Sequence, residues 1–217
     1  MAATSGGTAI RRVGMFGGAF DPPHGAHRSL AEAAIEQLDL DLLHVLPTGQ
    51  AWHKARPLTD AAHRVAMCRL AFGDLPRVRI DEREIHRQGP SYTADTLAEL
   101  RREYPLAELY LVLGADQLLA FRSWVRWQDV MSLARLAVAA RARSIGAQAL
   151  DQPAEEADLS GVDLPFVPLT MPLNPVSATA VRARLAAVGP DAAALDLLVP
   201  APVASYISQN HLYQTPT

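Results

Sequence analysis

Two histidines three positions apart, His24 and His27, follow a glycine pair and a proline pair in the run Gly17-Gly18-Ala19-Phe20-Asp21-Pro22-Pro23-His24-Gly25-Ala26-His27. The chemistry open to such a run is anion binding. Glycines let the backbone come close to a ligand, and side chains three apart share one face of a helical turn. A helix starting near His24 or Gly25 would add unpaired N–H groups and the positive end of its dipole to the same place. No Gly-Lys-Ser/Thr follows, so this is not a Walker loop, and the Gly-x-Gly-x-x-Gly of dinucleotide-binding dehydrogenases is missing. A two-histidine metal site fits poorly, because no third ligand is near in sequence and helical metal pairs prefer i, i+4. No metal held by the protein itself is expected. Far along the chain, Ser177-Ala178-Thr179-Ala180-Val181-Arg182 has a related character. Ser177 is a natural N-cap for a helix running to about Ala187. Thr179 and Arg182 then share a face, and a hydroxyl, a helix start and a guanidinium together favour a polyphosphate. Alone, a plain capped helix explains this second run; beside the first it reads as the other half of a phosphate site.

The elements that must position these groups alternate along the chain. Strands are expected at Arg12 to Phe16, Leu42 to Leu46, Val78 to Ile80, Leu109 to Leu113, Leu136 to Ala139 and Phe166 to Leu169. Helical spacing of apolar residues predicts helices through Leu30–Leu38, Asp60–Phe72 and Thr93–Glu103, and two or three more finish the chain. Strands separated by helices argue for an α/β fold, a Rossmann-like open, mainly parallel sheet with helices on both faces. Such sheets bind ligands at the carboxyl ends of their strands, and the first run follows the first strand directly.

Composition narrows the function classes. The 217 residues are 49% hydrophobic, enough for a substantial core, and carry a net charge of -3, which offers no overall field for nucleic acid. A single cysteine, Cys68, excludes an intrachain disulfide and suits a reducing cytoplasm; its place on an apolar helical stripe makes it a core residue. No apolar run approaches the roughly 20 residues of a membrane span. Residues 1–10 read as a flexible extension and 11–217 as one domain, with Arg143 to Gly161 a mobile excursion. A homo-oligomer is left open.

The first run resembles the His-x-Gly-His signature of the nucleotidyltransferase superfamily, in the long form Gly-Gly-Thr-Phe-Asp-Pro-x-His-x-Gly-His of bacterial nicotinate-nucleotide adenylyltransferases. Ala19 stands where that family usually has Thr, and Ala26 where it has Gly. The second run resembles the Ile-Ser-x-Thr-x-x-Arg signature, with Val176 in place of Ile. Trp52-His53-Lys54, in a basic loop with Arg56, is similar to the family's Pro-Pro-His-Lys loop without the prolines. Asp81 to Glu84 followed by Pro90-Ser91-Tyr92-Thr93 resembles the segment that binds the pyridine mononucleotide, and Phe121-Arg122-Ser123-Trp124 the segment whose Trp stacks on the nicotinate ring. Gly114-Ala115-Asp116 resembles Gly-x-Asp, and Arg141 resembles the start of Arg-Pro-Gly, with Ala142 and Arg143 replacing the last two residues.

The resemblance implies a nicotinate-nucleotide adenylyltransferase. It implies an ATP site of Gly17, Gly18, Ala19, Phe20, His24, His27, Gly114, Asp116, Arg141, Ser177, Thr179 and Arg182, with His24, His27 and Arg182 catalytic. It implies a nicotinate mononucleotide site of Lys54, Tyr92, Thr93, Asp116 and Trp124. Mg²⁺ would ride on the phosphates of ATP. The acceptor phosphate is already anionic, so alignment and charge stabilisation, not a general base, are what the residues must supply. Two alternatives stay open: a sibling such as pantetheine-phosphate adenylyltransferase, and a non-catalytic nucleotide-binding protein on the same scaffold. Trp127 is expected to be packing.

Overall fold

In a computed structural model, which describes residues 9–49, 57–139, 157–172, 174–188, 195 and 198–214, six strands form one sheet. The chain runs β1 (Arg12–Gly18), α1 (Gly25–Gln37), β2 (Leu42–Pro47), α2 (Ala61–Phe72), β3 (Val78–Ile80), α3 (Arg83–His86), α4 (Thr93–Glu103), β4 (Glu108–Gly114) and α5 (Ala115–Leu119). A 3-10 turn (Phe121–Ser123), α6 (Trp127–Leu133), β5 (Arg135–Ala139), β6 (Phe166–Leu169), α7 (Ala178–Val188) and α8 (Ala201–Gln209) follow. The strand order is β3-β2-β1-β4-β5-β6, and every neighbouring pair is parallel.

Side-chain alternation divides the interior in two, because successive residues of a strand point to opposite faces. Leu109, Leu111, Leu113, Leu136 and Val138 pack with Leu97 and Leu100 of α4, Phe121 and Val130 on one face. Tyr110, Val112, Ala137 and Ala139, their neighbours along the same strands, pack on the other face with α1, α2, α7 and α8 through Leu30, Cys68, Val181 and Ile207. Cys68 is fully buried, as its stripe predicts. Gly14 of β1 faces that second layer, where a Cβ would lie 2.7 Å from both Leu40 Cδ1 and Leu43 Cδ1.

Local signals account for several element ends. Asp60 caps α2, its carboxylate accepting the Ala62 N–H at 2.8 Å. Asp95 lies in the first turn of α4 and Arg101 and Arg102 in its last, complementing the helix dipole. Gly17 and Gly18 are the last residues of β1 rather than the stop after it, since both pair with β2. The short elements α3, α5, the 3-10 turn and α6 were not expected from periodicity; at 3–7 residues they are too brief to repeat an apolar stripe. Residues 1–8 and most of Arg143–Gly161 lie outside the described residues. Among those described, no helix is long and apolar enough to cross a membrane.

The strand order places a winding reversal beside β1. The chain moves outward from β1 through β2 to β3, then returns to lay β4 on the other side of β1. In open α/β sheets the crevice for a ligand lies at such a reversal, at the carboxyl ends of the strands.

Candidate active site

Gly17 and Gly18 of the first run lie at the carboxyl end of β1. A Cβ at Gly18 would sit 3.1 Å from Phe20 Cζ, so the strand end lies directly on that ring. Phe20 is 1% exposed and holds a left-handed backbone, φ 46°, which a bulky residue adopts only where its surroundings impose it. Its ring packs edge-on against Phe16, Phe72 and His27, with centroids 5.3, 5.7 and 5.1 Å away. Above this aromatic floor the rings of His24 and His27 stack at 3.7 Å. His24 is the N-cap of α1, and its N–H donates to His27 Nδ1 at 3.3 Å. With Nδ1 accepting, a neutral His27 carries its proton on Nε2, the nitrogen then able to donate to a phosphate oxygen.

The helix start is less open than its sequence suggests. Gly25 N–H donates to Leu198 O at 3.0 Å and His27 N–H to His24 O at 2.9 Å, while the His24 amide serves His27. The segment before α8 takes up the Gly25 amide, while the His24 and His27 amides are engaged within the first turn of α1 itself. The grip on an anion therefore shifts from amides toward the imidazoles and the nearby guanidinium. Ala26 turns its methyl inward, 2% exposed, so the departure from Gly sits on the core side of the turn.

The second run joins the first by direct contact. Ser177 Oγ accepts the Ala180 N–H at 3.2 Å and so caps α7. Arg182 donates to Thr179 Oγ1 at 3.2 Å, confirming their shared face, and to Asp21 O at 2.7 Å across 161 residues of sequence. Asp21, read in the sequence only as loop punctuation, and Arg64 and Tyr213, which the sequence reading missed, hold this end. Asp21, 1% exposed, accepts from Tyr213 Oη at 2.7 Å and Thr59 N–H at 3.4 Å. Arg64, 2% exposed, donates to Ala19 O at 3.0 Å, Thr48 O at 2.8 Å and Thr59 O at 2.9 Å, tying together the loops after β1 and β2. Burial lowers its pKa and the Asp21 charge opposes that. Arg64 sits in a helix that reads as apolar, and a charged residue on the buried face of that stripe was the available signal.

The residues that the resemblance assigns to the mononucleotide belong to elements on the α4 side of the sheet. Tyr92 is the exposed N-cap of α4, its ring 5.8 Å from the Arg126 guanidinium, which bonds Asp95 at 2.5 Å. Thr93 opens α4. Trp124 is half-buried against Phe121, centroids 5.3 Å apart, and Trp127 packs on the same Phe at 6.3 Å. Gly114 ends β4, and Asp116 is exposed in the first turn of α5. Beneath them runs a charged network. Buried His44 bonds Asp81 through Nδ1 at 2.7 Å; Arg83 reaches Asp81 through Nε at 2.8 Å and Glu103 at 2.7 Å; Arg87 bonds Glu99 at 2.7 Å and Thr96 at 3.1 Å. Burial pushes the Asp81 carboxyl up, but the bonds from His44 and Arg83 outweigh it and hold the group well below the usual carboxylate range. Glu84, 6% exposed, goes the other way: burial raises it and the Thr96 hydroxyl, at 2.9 Å, only partly compensates. Gly49, after β2, approaches Glu84 so closely that a Cβ would lie 2.1 Å from its carbonyl oxygen.

The structure thus brings Gly17, Gly18, Ala19, Phe20, His24, His27, Ser177, Thr179 and Arg182 to one end of the sheet. Gly114, which ends the parallel strand β4, and Asp116 just after it lie at the same carboxyl end, while Tyr92, Thr93 and Trp124 belong to elements packed on the α4 side of the sheet. Lys54 and Arg141, with Trp52, His53 and Arg56, lie outside the described residues.

A parallel sheet reversing at β1, with two imidazoles and a guanidinium at the reversal, is the arrangement of nucleotidyltransferases. The chain belongs to the cytidylyltransferase-like family, which residues 15–184 match. It is 50% identical over 207 residues to a protein of Albidiferax ferrireducens named "Probable nicotinate-nucleotide adenylyltransferase", covering 95% of this chain and 100% of the relative. A relative of the same name from Methylibium petroleiphilum is 40% identical over 206 residues, 95% of this chain and 94% of that one. Within its family the chain therefore sits with the nicotinate-nucleotide adenylyltransferases. A solved structure of the nicotinic acid mononucleotide adenylyltransferase of Plasmodium falciparum, in complex with NaAD, shares the fold with a TM-score of 0.70 at 18% identity, covering 94% of this chain and 97% of that one.

Proposed function

We propose that this protein transfers AMP from ATP to nicotinate mononucleotide, giving deamido-NAD and pyrophosphate, with His24, His27 and Arg182 acting on the phosphates. The relatives' shared name supports the reaction, and the bond from Arg182 to the Asp21 carbonyl is the observation that carries the residue roles. It fastens the Ser/Thr/Arg helix to the loop bearing the imidazoles, so one triphosphate can meet both.

The phosphate of nicotinate mononucleotide attacks the α-phosphorus of ATP; the bond to the bridging oxygen breaks, and pyrophosphate carries the electron pair away. The attacking oxygen is anionic at neutral pH, so no side chain need take a proton. The protein's contribution is alignment of two anions and stabilisation of charge on the transferring group. His27 Nε2–H and the His24 ring face the α- and β-phosphates, and Arg182, Ser177 and Thr179 grip the β and γ groups. Mg²⁺ arrives with ATP as part of the substrate. Imidazole, hydroxyl and guanidinium donors suit phosphate oxygens, while the buried carboxylate, Asp21, is committed to Tyr213 and Thr59 rather than offered to a hard cation. Gly17, Gly18, Ala19, Phe20, Gly114, Asp116 and Arg141 complete the nucleotide side. Tyr92, Thr93, Trp124, Asp116 and Lys54 take the mononucleotide, with the Trp124 face against the flat pyridine ring. The reaction runs in the cytoplasm on one domain spanning 11–217.

Pyrophosphate release from ATP, measured in turn with nicotinate mononucleotide, its amide and phosphopantetheine, tests the acceptor. Turnover with the acid mononucleotide well above the other two is expected. Preference for phosphopantetheine would move the chain to a sibling reaction, and inertness with all three would make it a binding protein.

A further inference from the structure

We infer that Tyr213 is a positioning residue for the ATP site, acting through Asp21; this rests on the assignment of His24, His27 and Arg182 to the phosphates. Asp21 has two ends with separate tasks. Its carbonyl receives the Arg182 guanidinium at 2.7 Å, and its carboxylate receives the Tyr213 hydroxyl at 2.7 Å. It lies three residues before His24, and all of 21–24 is buried. A shift of Asp21 therefore moves the imidazoles and the acceptor of Arg182 together.

The backbone around Tyr213 is built to deliver that hydroxyl. His211 and Tyr213 both hold left-handed conformations, φ 51° and 63°, where non-glycine residues are rare. Two such residues in three persist only where surrounding contacts fix them, and this turn aims the ring back over the first loop. Burial raises the Tyr213 pKa and the charge of Asp21 raises it further, so the hydroxyl keeps its proton and stays a donor at every working pH. The same stretch of chain touches the first run again, where Leu198 O accepts the Gly25 N–H at 3.0 Å. The C-terminal segment thus clasps both sides of the two prolines.

Ordinary anchoring of the segment is separable from this role. Tyr206, on α8, also spends its hydroxyl on a partner, but that partner is His63 of α2 at 2.9 Å, away from the phosphate loop. Tyr213→Phe is expected to raise the KM for ATP about tenfold, the low end of the effect of one hydrogen bond to a charged group, with the KM for nicotinate mononucleotide unchanged. Tyr206→Phe is expected to leave both KM values alone while lowering the melting temperature as much as Tyr213→Phe does. Combining Tyr213→Phe with Asp21→Asn should give less than the product of the single effects on the ATP KM, because the two side chains share one bond.

An unchanged ATP KM in Tyr213→Phe, or equal rises for both substrates, would overturn the proposal. So would an ATP KM that rises equally in Tyr206→Phe. His27→Ala, assayed in parallel, separates the two ideas. If it collapses turnover while Tyr213→Phe is silent, the positioning role fails and the phosphate assignment stands. If His27→Ala turns over normally, both fall.

Discussion

The two faces of the site are held by different physics. At the His24–His27 end, guanidinium groups donate to neutral backbone carbonyls: buried Arg64 to Ala19, Thr48 and Thr59, and half-buried Arg182 to Asp21. Around α3 and α4, charge is matched with charge along Asp81, Arg83, Glu103, Glu99 and Arg87, with Arg126 and Asp95 beside Tyr92. A carbonyl does not titrate, so the first arrangement holds over a wide pH range. Carboxylates do, and partly exposed pairs are also screened by salt. The difference is one of acceptor: the first set of guanidinium bonds ends on neutral carbonyls, with the buried Asp21 carboxylate acting on Arg64 through its charge, whereas the second ends on carboxylates.

The largest expected effect lies at the frame itself. His27→Ala should lower kcat by about 10²–10³-fold, the cost of one preorganised donor on a transition-state oxygen, with the melting temperature within a few degrees of the parent. Steady-state kinetics and a thermal melt check it, and near-normal turnover would break the division of labour. On the other face, Trp124→Ala should raise the KM for nicotinate mononucleotide roughly tenfold, about 1.4 kcal/mol of stacking, and leave the ATP KM in place. Loss of ATP affinity instead would merge the two faces into one.

The smallest effect on turnover tests how the pyridine side is held. Asp81→Asn should destabilise the fold by roughly 2 kcal/mol at pH 7, since Arg83 and His44 lose their shared acceptor. The Asp81 pKa is held below its unfolded value of about 3.9, so its contribution is fully present above that pH and is lost as pH falls toward the folded value. The gap between parent and variant melting curves should therefore begin to close below about pH 4 and go on narrowing as the pH falls further. A gap that stays constant across that range would remove Asp81 from the charged frame.

The sheet was largely legible because buried strands are apolar whatever else they do: six strand positions and the α/β class follow from runs such as Leu109 to Leu113 and Leu136 to Ala139. Ser177 as a cap and Thr179 with Arg182 on one face follow from helical geometry within six residues. The short α3, α5 and α6 escaped, having no room for a period. Arg64 escaped because a single charge among apolar neighbours looks like a solvated position until its burial is known. Tyr213 escaped because its partner, Asp21, lies 192 residues away and no local pattern points to it.

By itself the sequence determined the local pieces: which segments are strands, where helices start, and which residue types stand at those starts. Only the tertiary structure decided how they meet. The reversal of strand order beside β1, the reach of Arg182 to a carbonyl 161 residues away, and the commitment of the Gly25 amide to Leu198 all depend on distances that no local pattern encodes. Propensity and periodicity act within a few residues, whereas a binding site is set by packing between elements far apart in the chain.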